Sequence, residues 1–129
     1  MWVSTGSSIC CAGSTQVISE YQKFVESTSG AYKELTKSEG RIAAAALGLV
    51  GEAGEASEII KKGLFHNHGI KKEELHKELG DVLWYVAELC SASGTTLEAV
   101  IKGNVDKLKR RYPTGWSAQK SIDREEESR

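Results

Sequence analysis

KKEELHKELGDVLWYVAELCSAS, residues 71–93, is the stretch that decides the fold. Leu75, Leu79, Val82, Leu83, Val86 and Leu89 recur at three- and four-residue intervals, which predicts an amphipathic helix from about Lys71 to Ser93. Gly94 follows as a stop. Within this helix Glu78 and Asp81 stand three residues apart and share a face. Acids that close to a core-facing stripe are costly to bury unless they are paired or metal-bound.

Upstream, a second helix is predicted from about Arg41 to Lys62. Ala43 to Ala46 supply helix propensity, and Leu47, Val50, Ile59 and Ile60 supply apolar contacts. Gly63 after Lys61 and Lys62 reads as its C-terminal stop. Glu52 and Glu55 repeat the three-residue spacing. One such pair is ordinary on an exposed helical face; its repetition on neighbouring helices carries the weight. The intervening Leu64 to Ile70 loop is short enough for antiparallel packing, which brings both acidic pairs to one level. Four carboxylates there form the oxygen-rich environment Mg²⁺ requires, with Mn²⁺ able to substitute. Mg²⁺ in turn accompanies phosphate chemistry. Gly51 and Gly54 each cost about 1 kcal/mol relative to alanine inside a helix. They permit either a close helix crossing or room for metal ions and a phosphate chain.

The rest of the chain also reads as helix and loop. Val17, Ile18, Tyr21, Phe24 and Val25 predict a first helix over about Thr15 to Ser27. Ser27 to Gly40 reads as a loop with a helical turn around Tyr32 to Leu35. Thr95-Thr96-Leu97-Glu98 has the form of a capping box opening a further helix, which runs through Ile101, Val105 and Leu108 until Pro113. No strand pattern or internal repeat is evident. The expected architecture is all-α: a Ser/Gly/Thr-rich tail over 1–14, a helical domain over 15–117 and a charged tail over 118–129.

Length and composition narrow the function. The 129 residues are 40% hydrophobic and 27% charged, which fits one globular domain. That size is small for a large core, so completion by oligomerisation is expected. Net charge is −1, with a sequence pI near 6.3, leaving no global footprint for a nucleic acid polymer or an anionic membrane. Phosphate binding must come from a local cluster, and the ligand should be small. No apolar run reaches the length of a membrane span. Met1 to Ser14 lacks the basic and apolar regions of a secretory signal. Three cysteines, Cys10, Cys11 and Cys90, form no disulfide framework. A cytoplasmic setting is expected, with Cys90 a small buried apolar residue.

Further candidates surround the acids. Asn104 interrupts the Leu97, Ile101 and Leu108 stripe, and a buried amide there needs a partner such as a ligand phosphate or a carboxylate. Lys107, Arg110 and Arg111 follow and can neutralise a polyphosphate. Tyr85, four residues after Asp81, is the foremost base-contact candidate among Phe65, Trp84, Tyr85 and Trp116. Glu73-x-x-His76 has the spacing of a di-iron ligand pair. Only one such pair is present, and no cysteine stands near the histidines for zinc.

Taken together, these residues resemble the MazG-like all-α nucleoside triphosphate pyrophosphohydrolases. Their pattern is Glu-x-x-Glu, a spacer, then Glu-x-x-Asp. Here Glu52 and Glu55 are separated from Glu78 and Asp81 by positions 56–77, a run of 22 residues. The sequence from Glu78 to Tyr85 looks like the family's second motif, and that from Asn104 to Pro113 like its C-terminal motif. The likeness extends from about Ser19 to Trp116. It implies a protomer that forms a dimer or a dimer-of-dimers tetramer, with sites near an intersubunit groove. It also implies that Glu52, Glu55, Glu78 and Asp81 are catalytic and hold Mg²⁺ against a triphosphate, with Asn104, Lys107 and Arg111 on the phosphates. The implied reaction gives a nucleoside monophosphate and pyrophosphate and serves nucleotide-pool control or house-cleaning. A phosphoribosyl-ATP pyrophosphohydrolase and a non-catalytic helical interaction protein stand as alternatives.

Overall fold

Five helices account for most of the residues described by the computed structural model, which are 12–34 and 38–119. They are α1 (Ala12–Thr28), α2 (Gly30–Lys33), α3 (Ser38–Phe65), α4 (Lys72–Ala92) and α5 (Leu97–Arg111). Among the described residues there is no strand, only an isolated bridge between Pro113 and Gly115. The chain is all-α. Two compact units are present, one ending at Leu97 and the other beginning at Glu98. The expected tails, together with Cys10 and Cys11, fall largely outside the described residues, although α1 already begins at Ala12.

An antiparallel hairpin of α3 and α4 organises the first unit. Its register shows in three pairs running in opposite directions: Arg41 with Glu88, Gly48 with Tyr85, and Gly63 with Ile70. Gly63 is not a stop, because α3 continues through it to Phe65. Its role is close approach: a Cβ there would lie 2.7 Å from Ile70 Cγ1 and 2.9 Å from the Ile70 backbone nitrogen. The helix ends instead where Asn67 adopts a left-handed φ of 62°, a conformation asparagine tolerates better than most residues. The His66 and His68 amides both return to the Lys62 carbonyl, at 3.1 and 3.3 Å. Gly94, with φ of 78°, follows α4 as expected.

The core of the first unit is thin and partly polar. Its buried apolar residues are Val25, Ala45, Ala56, Ala87, Cys90 and Leu97, mostly small. Burial raises the Cys90 thiol pKa, in keeping with a structural role. Beside this apolar set lies a fully buried carboxylate, Glu88. Arg41 donates to both its oxygens, from Nε at 2.7 Å and Nη2 at 3.2 Å, and Ser29 Oγ donates to Oε2 at 2.6 Å. Gln22 on α1 extends the network, donating to Ser91 Oγ at 3.0 Å and to the Thr95 carbonyl at 3.3 Å. Its Oε1 accepts the Leu97 amide at 2.7 Å, which satisfies a donor at the start of α5. Among the described residues no buried side-chain polar atom lacks a partner, which is the condition for such a network to hold helices together.

The second unit holds α5, where Lys102 pairs with Asp106 at 3.1 Å one turn on. Asn104 is exposed, not buried as the apolar stripe suggests, and Leu108 is 43% exposed. The stripe is only half filled here: Ile101 and Val105 are partly covered, while Asn104 and Leu108 face outward. Asn104, Lys107 and Arg111 recur at helical spacing along α5, and all three are exposed.

Candidate active site

Glu52 and Glu55 project from α3 toward α4 because they share that side with Gly48, Ala56 and Ile59. Glu78 comes from the facing side of α4. One carboxylate oxygen from each of Glu52, Glu55 and Glu78 can be chosen so that all lie within 4.8 Å of one another. Asp81, one turn beyond Glu78, is exposed and falls outside that tight set, but it acts electrostatically on Glu52, Tyr85 and Tyr21.

Electrostatics at Glu52 register the crowding. Its carboxyl titrates above the ordinary range, first through partial burial and then through the charges of Glu55, Asp81 and Glu78. A hydrogen bond to the Glu78 carboxyl also favours the protonated form. Like charges held this close call for a proton or a cation between them. A set made only of carboxylate oxygens suits a hard divalent cation rather than a thiophilic metal. The residues present fit such an ion.

Tyr85 stands directly beside the acids. Its ring packs on the α3 backbone at Gly48, where any Cβ would overlap the ring atoms. The Tyr85 and Tyr32 hydroxyls are 3.1 Å apart. That hydrogen bond, then burial and the charges of Glu52 and Asp81 push the Tyr85 phenol up to about 12. Trp84 meets Tyr85 edge-on at 5.0 Å between centroids and donates through Nε1 to Thr28 Oγ1 at 2.8 Å. Tyr32 completes the cluster, 5.9 Å from Trp84 and 6.3 Å from Tyr85. Phe65 and Trp116 are exposed.

Gly51, Gly54 and Gly80 meet nothing within 4 Å of an added Cβ, so of the two readings of Gly51 and Gly54 the close crossing is not found there but at Gly48 and Gly63. The space beside Glu52 and Glu55 is open. Four residues near the site escaped sequence reasoning. Gly48 precedes Glu52 by one turn, a spacing that could have flagged it. Tyr21 and Tyr32 carry no local signal, since only the packing of α1 and α2 brings them near α4. Glu88 has no partner at a telling spacing in the sequence, and only the approach of Arg41 and Ser29 marks it. His66 and His68 lie edge-to-face at 6.3 Å and are exposed. The acidic set that converges excludes Glu73 and His76.

A family model described as MazG nucleotide pyrophosphohydrolase domain matches residues 42–116, from the second turn of α3 to beyond α5. The Gene 37 protein of Mycobacterium phage L5 is 41% identical over 73 residues, covering 54% of this chain and 64% of that protein. The chain thus spans under two thirds of that relative's length. No solved structure matches. Among the described residues no helix is long and apolar enough to cross a membrane. With the family match covering more than half of its residues, the chain belongs to the MazG nucleotide pyrophosphohydrolase domain family.

Proposed function

We propose that this protein hydrolyses nucleoside triphosphates between the α and β phosphates, releasing a nucleoside monophosphate and pyrophosphate. The supporting observation is the convergence of Glu52, Glu55 and Glu78 in a chain of this family. These three and Asp81 are the residues proposed to hold Mg²⁺, or Mn²⁺ in its place. When bound, the cation screens phosphate charge and lowers the pKa of the attacking water. Glu52 or Glu55 takes the proton of that water as its oxygen bonds to the α-phosphorus. The bond from the α-phosphorus to the bridging oxygen breaks, and its electron pair leaves with pyrophosphate. Tyr85, fixed by Tyr32 and Gly48, lines the nucleoside side. Asn104, Lys107 and Arg111 are proposed phosphate contacts on the strength of the C-terminal motif.

A second copy of the chain is proposed to complete the fold. Leu47, Val50 and Phe65, 74%, 70% and 78% exposed, fall on one side of α3 together with Gly51 and Gly54. Leu79 and Leu83, one turn apart on α4, are about half exposed. An apolar surface of this extent is usual for an interface and unusual for a monomer. Sedimentation should give a dimer or larger, and Leu47→Glu with Val50→Glu should shift it to the monomer.

A panel of canonical, deoxy and damaged triphosphates, with phosphoribosyl-ATP included, tests the reaction. Pyrophosphate release that depends on Mg²⁺ is the expected result. Orthophosphate as sole product would overturn the bond assignment. Absence of both turnover and Mg²⁺-dependent nucleotide binding would leave a helical interaction protein.

A further inference from the structure

Trp84 and Tyr85 are consecutive on α4, so their side chains leave the helix about 100° apart. Their rings nevertheless meet edge-on at 5.0 Å. What turns them together lies outside α4. Trp84 Nε1 donates to Thr28 Oγ1 at 2.8 Å, and the Tyr85 hydroxyl is 3.1 Å from that of Tyr32. The Thr28 hydroxyl suits this task. It gives its own proton to the Val25 carbonyl at 2.9 Å and keeps its lone pairs for the indole. Tyr32 touches both rings, tilted at 52° to Trp84 and edge-on to Tyr85.

Both hydroxyls are firmly mounted. Between them Ser29 is fully buried and bonded to Glu88 at 2.6 Å, and its carbonyl accepts the Tyr32 amide at 3.0 Å. The junction of α1 and α2 is thereby tied to the carboxylate that Arg41 holds. On its other side the Tyr85 ring already lies against the α3 backbone at Gly48. A hydrogen bond to an exposed hydroxyl such as that of Thr28 adds little to stability, so its effect falls on the rotamer of Trp84. Thr28 and Tyr32 both precede the matched residues 42–116, whereas the carboxylates and the two α4 rings lie within them.

We propose that Thr28 and Tyr32 are positioning residues that set discrimination among nucleotides, their hydroxyls holding Trp84 and Tyr85 as one preorganised wall beside the carboxylates. The inference rests on the pyrophosphohydrolase reading and deepens it. The carboxylates act on phosphate, which every triphosphate shares; the wall acts on the nucleoside, which differs. Discrimination therefore depends on α1 and α2, ahead of the matched stretch. Without the two hydroxyls, each incoming nucleoside must order the rings itself, and that ordering opposes binding.

The Thr28→Val/Tyr32→Phe double variant of the full chain tests this, because it removes both hydroxyls and keeps both shapes. With Mg²⁺ and the favoured triphosphate, KM should rise about tenfold, the effect of having to order two ring side chains on binding. At saturating substrate kcat should stay within about threefold, the mark of lost binding rather than lost chemistry. Discrimination against the poorest triphosphate of the panel should narrow by about the same factor as KM rises. Thr28→Ser, which keeps the hydroxyl, should behave as wild type. If the double variant melts early, Thr28→Val alone carries the test, with a rise in KM of about threefold. Unchanged KM, unchanged discrimination, or a fall in kcat with KM kept overturns the positioning role. If wild type hydrolyses triphosphates in that case, only this inference falls. If wild type neither turns over nor binds any triphosphate with Mg²⁺, the pyrophosphohydrolase reading falls and takes this inference with it.

Discussion

Arg41 grips Glu88 through two hydrogen bonds inside the first unit, across the α3–α4 interface and three helical turns from Glu52. The Glu88 side chain has no exposed surface, and the Arg41 side chain retains 21% of its own. Because each residue sits on a different helix, the pair fixes the register in which the catalytic candidates meet.

Arg41→Ala should therefore destabilise the fold by about 3–5 kcal/mol, since it strands a buried charge. The Arg41→Met/Glu88→Leu double variant should recover most of that loss, because apolar groups of similar volume remove both charges together. Urea unfolding of the three proteins checks both expectations. Equal stability of Arg41→Ala and wild type would show that Glu88 is not held ionised.

Gly48→Ala should cost about 1–3 kcal/mol, because the new methyl group overlaps the Tyr85 ring and must displace it or the helix. Gly103→Ala, in the interior of α5 with open space around it, should instead stabilise by about 0.5–1 kcal/mol through helix propensity. Opposite signs for the same substitution at two helical glycines, read from thermal melts, separate packing from propensity.

In the metal-free protein the contribution of Glu52 to stability should fall as pH rises through the acidic range. Glu52 titrates above its ordinary value of 4.5 in the folded state. The unfolded chain therefore ionises first, and the folded protein must then accept a charge its neighbours oppose. Stability from this group is full below the unfolded value and is lost as pH climbs through the folded one. Melting of wild type against Glu52→Gln in a chelator should show that decline as a difference, and MgCl₂ at neutral pH should reverse it. Glu78→Gln should raise the chelated melting temperature and abolish the response to Mg²⁺.

Glu55→Ala and Asp81→Ala should abolish Mg²⁺-dependent turnover while far-ultraviolet circular dichroism stays that of the wild type. Both side chains are exposed, so neither supports the core. Near-normal hydrolysis by either variant would remove that residue from the proposed site.

How much of this the sequence disclosed depends on the kind of interaction involved. The hairpin and its acidic pairs were legible because helical periodicity and a three-residue spacing are local properties. Gly63 misled because a glycine that admits a neighbouring backbone looks the same in sequence as one that ends a helix; only Ile70 tells them apart. Asn104 misled for a related reason: an apolar stripe promises burial only if something covers it. Arg41, Glu88 and Ser29 were silent, since a buried ion pair is written in residues that usually face water. Tyr32 became visible only once α2 was seen to carry it against Tyr85.

The smallness of the buried apolar set has a consequence for handling the protein. With alanines filling much of the described interior and leucine, valine and phenylalanine left outside, the proposed self-association would make folding and assembly one mass-action equilibrium. Dilution would then act as a denaturant, and the melting temperature should climb with protein concentration.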